Sequence, residues 1–313
     1  MKSRFSWADL FIVVGTLLFG FISFLSFNFL LLGETKASII RAVIFALSLG
    51  VFAFVAKLLK RTDRPSKAKV ICEGILLLLF VIVASIAIFP FSHYFGVSDK
   101  KADIQKELAV NIDQATNMFD NYKNYSENRQ RMYKNSLNAV VAARSVSPGE
   151  YSSYGFVNGI SDSTQIENKM FTLKAKLEQS NYEEMKQIAS TWLFDAKNTI
   201  TNWKPIGVVD VVNKVDSNTT SWKNVLIQLS EYRAQGETAT DFDYPLAFND
   251  VTDKIRTLNS PTPFSIILAI GLYMLMWISY FITRRHSKNN YTLRSIFTGK
   301  KNGKEKNPYD IDY

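Results

Sequence analysis

Few residues in this 313-residue chain have the types and spacing that chemistry needs. Histidine carries much of the proton transfer and metal binding done near neutral pH, and it occurs only at His93 and His286. Cys72 is the one thiol. Paired carboxylates, which do acid–base work in glycoside hydrolysis, come closest together at Glu183-Glu184 and Asp241-Phe242-Asp243. The first pair lies in a helical pattern, where adjacent acids point to solvent. The second lies in a loop pattern and lacks the rest of a calcium-ligand set. Neither standard glycine-rich phosphate loop is present. Asn124-Tyr125-Ser126 and Asn218-Thr219-Thr220 match the glycosylation triplet, as an asparagine-rich chain does by chance. Nucleophilic triads and dyads need a histidine beside the nucleophile, and residues 98–260 contain neither histidine nor cysteine. The expectation is a non-enzymatic protein with no catalytic constellation, no metal site and no cofactor.

The elements around these residues are set by where the apolar residues lie. They make up 47% of the chain and concentrate in four blocks. A membrane-crossing helix needs about 20 apolar residues to traverse roughly 30 Å of hydrocarbon. Residues 11–32, 74–97 and 258–283 are charge-free and long enough. The block at 42–56 is shorter and crosses only with its flanks, Arg41 and Lys57 reaching outward to headgroups. Four transmembrane helices follow, at about 10–32, 38–59, 70–94 and 261–284. Lys2 and Arg4 precede the first, but its run is too long for a signal core and no small-x-small site follows, so it reads as a retained anchor. Trp7, Trp277 and Tyr280 suit an aromatic belt. Charged residues stay at the ends of the spans, which argues against a coupled ion transporter. Gly15, Gly20, Ser23, Ser26, Ser48 and Gly50 permit close helix contact, within the bundle or between subunits.

The formal charge of +9 is unevenly placed. The connector between the second and third spans holds Lys57, Lys60, Arg61, Arg64, Lys67 and Lys69 against Asp63. Eight basic residues follow position 283, beginning with Arg284 and Arg285. Residues 98–260 carry 19 basic and 21 acidic residues, so the excess is not a nucleic-acid signal. Short loops rich in lysine and arginine stay in the cytoplasm. The expected topology has both termini inside, residues 98–260 outside the cytoplasm, and residues 285–313 as a basic cytoplasmic tail. The eight named basic residues set that topology and are available to anionic lipid. A plasma membrane, most readily a bacterial inner membrane, suits an outer domain without disulfides.

The outer domain reads as a helical bundle of four to six helices, making the whole an all-α membrane protein. Apolar residues at Ile104, Leu108, Ile112, Ala115, Phe119 and Tyr122, resuming at Tyr133, Leu137 and Val140, mark one long amphipathic helix. Ser98-Asp99 would start it and Ser147-Pro148-Gly149 would end it. Ser180 and Glu183 have the spacing of a capping box. Residues 208–215 fit helix or strand, and 151–160 an irregular segment or a short strand. Trp192, Trp203 and Trp222 fall on helical stripes, as core or as a ligand face. Pro90 and Gly96 interrupt the chain where it passes into the domain, and Pro261 and Pro263 where it leaves. No motif carries a family resemblance. The expected role is a structural or adaptor subunit of a cell-envelope assembly, binding protein partners or further copies of itself. A ligand sensor signalling through a separate partner, and a channel or transporter accessory subunit, are the alternatives.

Overall fold

The computed structural model describes residues 6–61, 66–258 and 260–284, and among these every regular element is a helix. In chain order they are α1 (Asp9–Leu30), α2 (Thr35–Lys60), α3 (Lys67–Asp99), α4 (Lys101–Ala142), α5 (Pro148–Ser153), α6 (Asp162–Leu177), α7 (Ser180–Thr201), α8 (Pro205–Ser230), α9 (Val251–Thr257) and α10 (Pro263–Ile282). The chain divides into two compact units, one formed by its two ends and one by Ala102–Val251.

In the first unit α1, α2, α3 and α10 all touch one another, and all four are long and apolar enough to cross a membrane. Phe19, Leu49, Phe80, Phe91, Tyr273 and Met276 fill the space between them. The outward faces are as apolar as the inward ones: Leu17, Phe21, Leu78, Val81, Phe281 and Ile282 are all exposed. Water would not tolerate so continuous an apolar surface, whereas lipid would. Close packing follows from small residues. A side chain on Gly15 would strike Met276, and one on Gly20 would press on Ala46 at 3.1 Å. The α1–α2 turn closes by paired bonds, Gly33 N–H to the Asn28 carbonyl and Leu32 N–H to that of Phe29, with Leu32 left-handed.

Several expectations for this unit change. Trp277 and Tyr280 are core residues rather than a belt, Trp277 standing edge-on to Phe80 with ring centroids 5.0 Å apart. Pro90 and Gly96 do not break α3, which continues to Asp99, so Ser98-Asp99 ends α3 instead of starting α4. Proline inside a helix disturbs its hydrogen-bond ladder, and here the Ser26 hydroxyl supports the turn that follows. It donates to the Phe91 carbonyl and accepts from Tyr94 N–H, both at 3.0 Å. His93 is fully buried, Nδ1 lying 3.0 Å from the Leu258 carbonyl oxygen. His286 lies outside the described residues. Pro263 opens α10 at its first turn, where the missing N–H costs nothing, and the Thr262 hydroxyl caps Ser265 N–H at 3.2 Å.

The second unit is built on α4, whose buried stripe runs from Ile104 to Val140. Helices α5 and α6 pack on its C-terminal part through Tyr151, Phe156, Leu173 and Leu177. Helices α7 and α8 pack on each other, Trp192 and Trp222 meeting edge-on, with Phe119 of α4 5.8 Å from Trp222. Trp222 is therefore core. Residues 208–215 are helix: Val208, Val209, Val211, Val212 and Val215 are all buried along α8, tertiary packing having overridden their strand preference. Ser147-Pro148 opens α5 rather than only ending α4, and 151–160 holds no strand. Helix α7 starts at Ser180 with Gln179 in the cap position, one residue earlier than a capping box on Ser180 requires.

Candidate functional site

Between α8 and α9 the chain has no helix. From Gln235 to Asn249 it runs as an extended strap, antiparallel to α4 and fastened by side chains of that helix. Tyr133 Oη donates to the Gln235 carbonyl at 3.0 Å and Tyr125 Oη to that of Thr240 at 2.7 Å. Gln114 Nε2 donates to the Ala247 carbonyl at 2.9 Å while its Oε1 accepts from Ala247 N–H at 3.0 Å. Asn111 repeats the arrangement with Asn249, at 3.1 and 3.0 Å. Backbone polar groups need partners wherever water is excluded, and α4 supplies them in place of a neighbouring strand.

Arg129 is the central fastening. Its Nε and Nη2 bind both oxygens of Glu237, at 2.5 and 3.0 Å, and its Nη1 donates to the Ser230 carbonyl at 2.7 Å. It also donates to the Tyr125 hydroxyl and to the Tyr232 carbonyl. Both partners of the ion pair are buried, with side chains 3% exposed. Glu237 in turn accepts from Ala234 N–H at 2.8 Å, closing the turn that starts the strap. Burial works against the guanidinium charge, but the bonds to Glu237 outweigh it and raise the pKa above the ordinary arginine value. By residue type, 126–131 is a polar gap in the apolar stripe. Ser126 and Arg129 are nevertheless buried, and they keep the three-and-four spacing from Tyr122 to Tyr133. That spacing is the signal the sequence offers.

Between α4 and the strap lies an open groove of about 840 Å³, lined on α4 by residues from Asn121 to Ser136 and on the strap by Glu237 to Asp243. Asp241 pairs with Arg233, and Asp243 lies 3.6 Å from Lys223. The two acids are thus matched to cations, not to each other. Glu183 and Glu184 are exposed on α7.

Three buried phenols surround this framework. Burial, then the Glu237 charge, pushes Tyr133 up to about 12. Burial, then Glu183, pushes Tyr182 up to about 12. Burial raises Tyr122 further, and its hydroxyl donates to the Leu177 carbonyl at 2.9 Å. The unfolded value is about 10, so the stability held in the neutral phenols is complete below about pH 10 and lost as pH passes about 12. An alkaline titration followed by tyrosine absorbance should show Tyr122, Tyr133 and Tyr182 ionising only as far-UV circular dichroism collapses. Ionisation of all tyrosines near pH 10 with helicity intact would contradict it.

In the first unit several of the basic residues make specific bonds. Lys57 does not extend to headgroups. It is buried, paired with Asp9 of α1, whose Oδ1 also accepts from Ser279 of α10 at 2.6 Å. Lys60 donates to the Tyr280 carbonyl at 2.8 Å and lies 4.3 Å above its ring. The Tyr280 hydroxyl donates to the buried Glu73 of α3. Arg61 and Lys69 are half-buried, while Lys67 and Arg284 are exposed. Arg64 and Arg285 lie outside the described residues. Sequence patterning does not single out Asp9 or Glu73, because apolar runs are counted between charges and the flanking acids drop out, nor Ser279, a single hydroxyl inside an apolar run. Neither unit brings three or more metal-ligating residues together among the described residues. No protein-family model, no curated protein and no solved structure matches the chain.

Proposed function

We propose that this chain is a four-span subunit of a cell-envelope assembly, acting as an adaptor whose unit at 102–251 binds a protein partner outside the cytoplasm. The observation that carries the reading is how the second unit uses its charged groups. Arg129 and Glu237 are taken up in fastening the strap, and Asp241 and Asp243 face cations. What remains is a shaped surface with an open groove, suited to recognition. Large apolar residues stand out on the helices of the same unit, Phe171 at 74% and Phe194 at 72% exposure, as interaction surfaces do. The basic connector and tail support an inside location for both termini, in a plasma membrane.

A sensor is the second reading. It is favoured by the groove volume of about 840 Å³, within the usual 300–1,000 Å³ range for small-ligand sites, and by the unbroken course of α3 through Pro90.

A photo-crosslinking residue placed at Phe171 or Phe194 in the full chain should give one defined protein adduct in intact cells. A reporter inserted at Gly149 should be active only outside the cytoplasm. A cytosolic reporter overturns the topology. Absence of any adduct, together with a thermal shift induced by a small molecule, replaces the adaptor by the sensor.

A further inference from the structure

The strap shows how α4 recognises an extended chain. At Asn111 and Gln114 one carboxamide gives an N–H to a strap carbonyl and takes the N–H of the same residue. That is the pairing a β-strand edge provides, made by a helix. On the adjoining face of α4, in steps of four, three and four, stand Asn117, Asn121, Asn124 and Asn128. The last three line the groove. Asn121 uses one N–H on the Asn117 carbonyl, and Asn128 uses its oxygen on Arg131. A carboxamide has two N–H donors and an oxygen that accepts twice, so each retains capacity for a ligand.

The strap forms the opposite wall, where Asp241 and Asp243 have side chains 56% and 86% exposed. Arg129, the lining cation, is neutralised by Glu237. Asp241 is bound to Arg233, whereas Asp243 reaches Lys223 only at 3.6 Å and neither cation lines the groove, so the rim carries its open negative charge at Asp243 and favours a positive group there. The α4 wall from Asn121 to Ser136 spans about 22 Å at 1.5 Å per residue, room for about six or seven residues of extended chain at about 3.3 Å each. A carbohydrate fits less well, because it needs a bare aromatic face. The Tyr125 ring is instead engaged by Arg129 at 5.9 Å and by Phe242 at 5.6 Å.

We infer that this groove holds an extended segment of a partner polypeptide that carries a lysine or arginine, its backbone read by Asn121, Asn124 and Asn128 as the strap is read by Asn111 and Gln114. This rests on the adaptor reading and specifies its partner. The test uses the full chain in lipid nanodiscs and phage-displayed random seven-residue peptides. Selected peptides should contain a basic residue. By fluorescence anisotropy, their affinity should fall tenfold or more with Asn121→Ala/Asn124→Ala/Asn128→Ala and severalfold with Asp243→Asn. N-methylation of the peptide backbone at alternate residues should cost tenfold or more. Thermal stability should hold in the triple variant, since alanine is favoured on an exposed helix face. The inference is overturned if no peptide is enriched over empty nanodiscs, if selected peptides bind the triple variant equally, or if chitohexaose binds in this groove and peptides do not. Should the Phe171 or Phe194 adduct persist in the triple variant while selected peptides ignore the groove, the adaptor reading stands and this assignment falls. Should both the adduct and peptide binding be absent in the parent chain, both fall.

Discussion

Replacing Arg129 with methionine should unfasten the strap and destabilise the second unit by about 3–5 kcal/mol, the usual result of leaving one partner of a buried ion pair uncompensated. The side chain contributes more than charge. Its planar fork binds Glu237 through two nitrogens while also reaching the Ser230 and Tyr232 carbonyls and the Tyr125 hydroxyl. Removing it strands a buried carboxylate and leaves the Ser230 and Tyr232 carbonyls to Arg233 alone. Lysine should not rescue it, because a single ammonium cannot reproduce the fork. Arg129→Met/Glu237→Met should recover part of the loss by removing the stranded charge. Hydrogen exchange on the full chain gives a local reading. Backbone amides at 234–249 should exchange much faster in Arg129→Met, and the thermal midpoint should fall by on the order of 10 °C. Unchanged exchange across 234–249 would mean that Asn111, Gln114, Tyr125 and Tyr133 hold the strap unaided.

The same residue shows where sequence patterning stops being informative. Helical type is legible wherever an apolar stripe recurs in steps of three and four, as from Ile104 to Tyr122 or from Met185 to Ile200. The four apolar spans are legible from length alone. At Arg129 the stripe continues in position but changes in chemistry, and a rule that counts apolar residues records a gap. The partner that makes its burial tolerable, Glu237, is 108 positions away, and no local pattern announces it. The strap is illegible for a related reason. Its backbone is satisfied by side chains of α4 rather than by its own periodicity, so residues 235–249 read only as loop. Boundaries are misplaced where a turn residue has two uses. Pro148 stops one helix and occupies the first turn of the next, and Pro90 lies inside a continuous helix whose next turn is tied to Ser26.

Lys57→Met should be among the most damaging single substitutions in the first unit, and Asp9→Asn its near equal, each costing about 3–5 kcal/mol. Asp9 is 1% exposed, as is Lys57. Their pair joins α1 to α2, and the Ser279 hydroxyl on the same carboxylate oxygen brings in α10. At the same end of the helices, Lys60, Tyr280 and Glu73 join α2, α10 and α3. These contacts link all four helices at that end and add to the register held by Ser26 on the Phe91 carbonyl and Tyr273 on the Ala84 carbonyl. Desolvating two charges offsets much of their attraction, so the pair as a whole should add little net stability. The double variant Asp9→Asn/Lys57→Met should therefore lie within about 2 kcal/mol of the parent, and the sum of the single losses should greatly exceed the double loss. Unfolding by SDS titration in mixed micelles measures all four corners of this cycle. Additive losses would show that the two residues act independently, through packing of their stems. If the double variant is stable yet loses the Phe171 or Phe194 adduct, the pair governs which arrangement of helices the partner accepts. If stability and adduct both survive, the pair is a register device alone, and partner binding depends on the second unit.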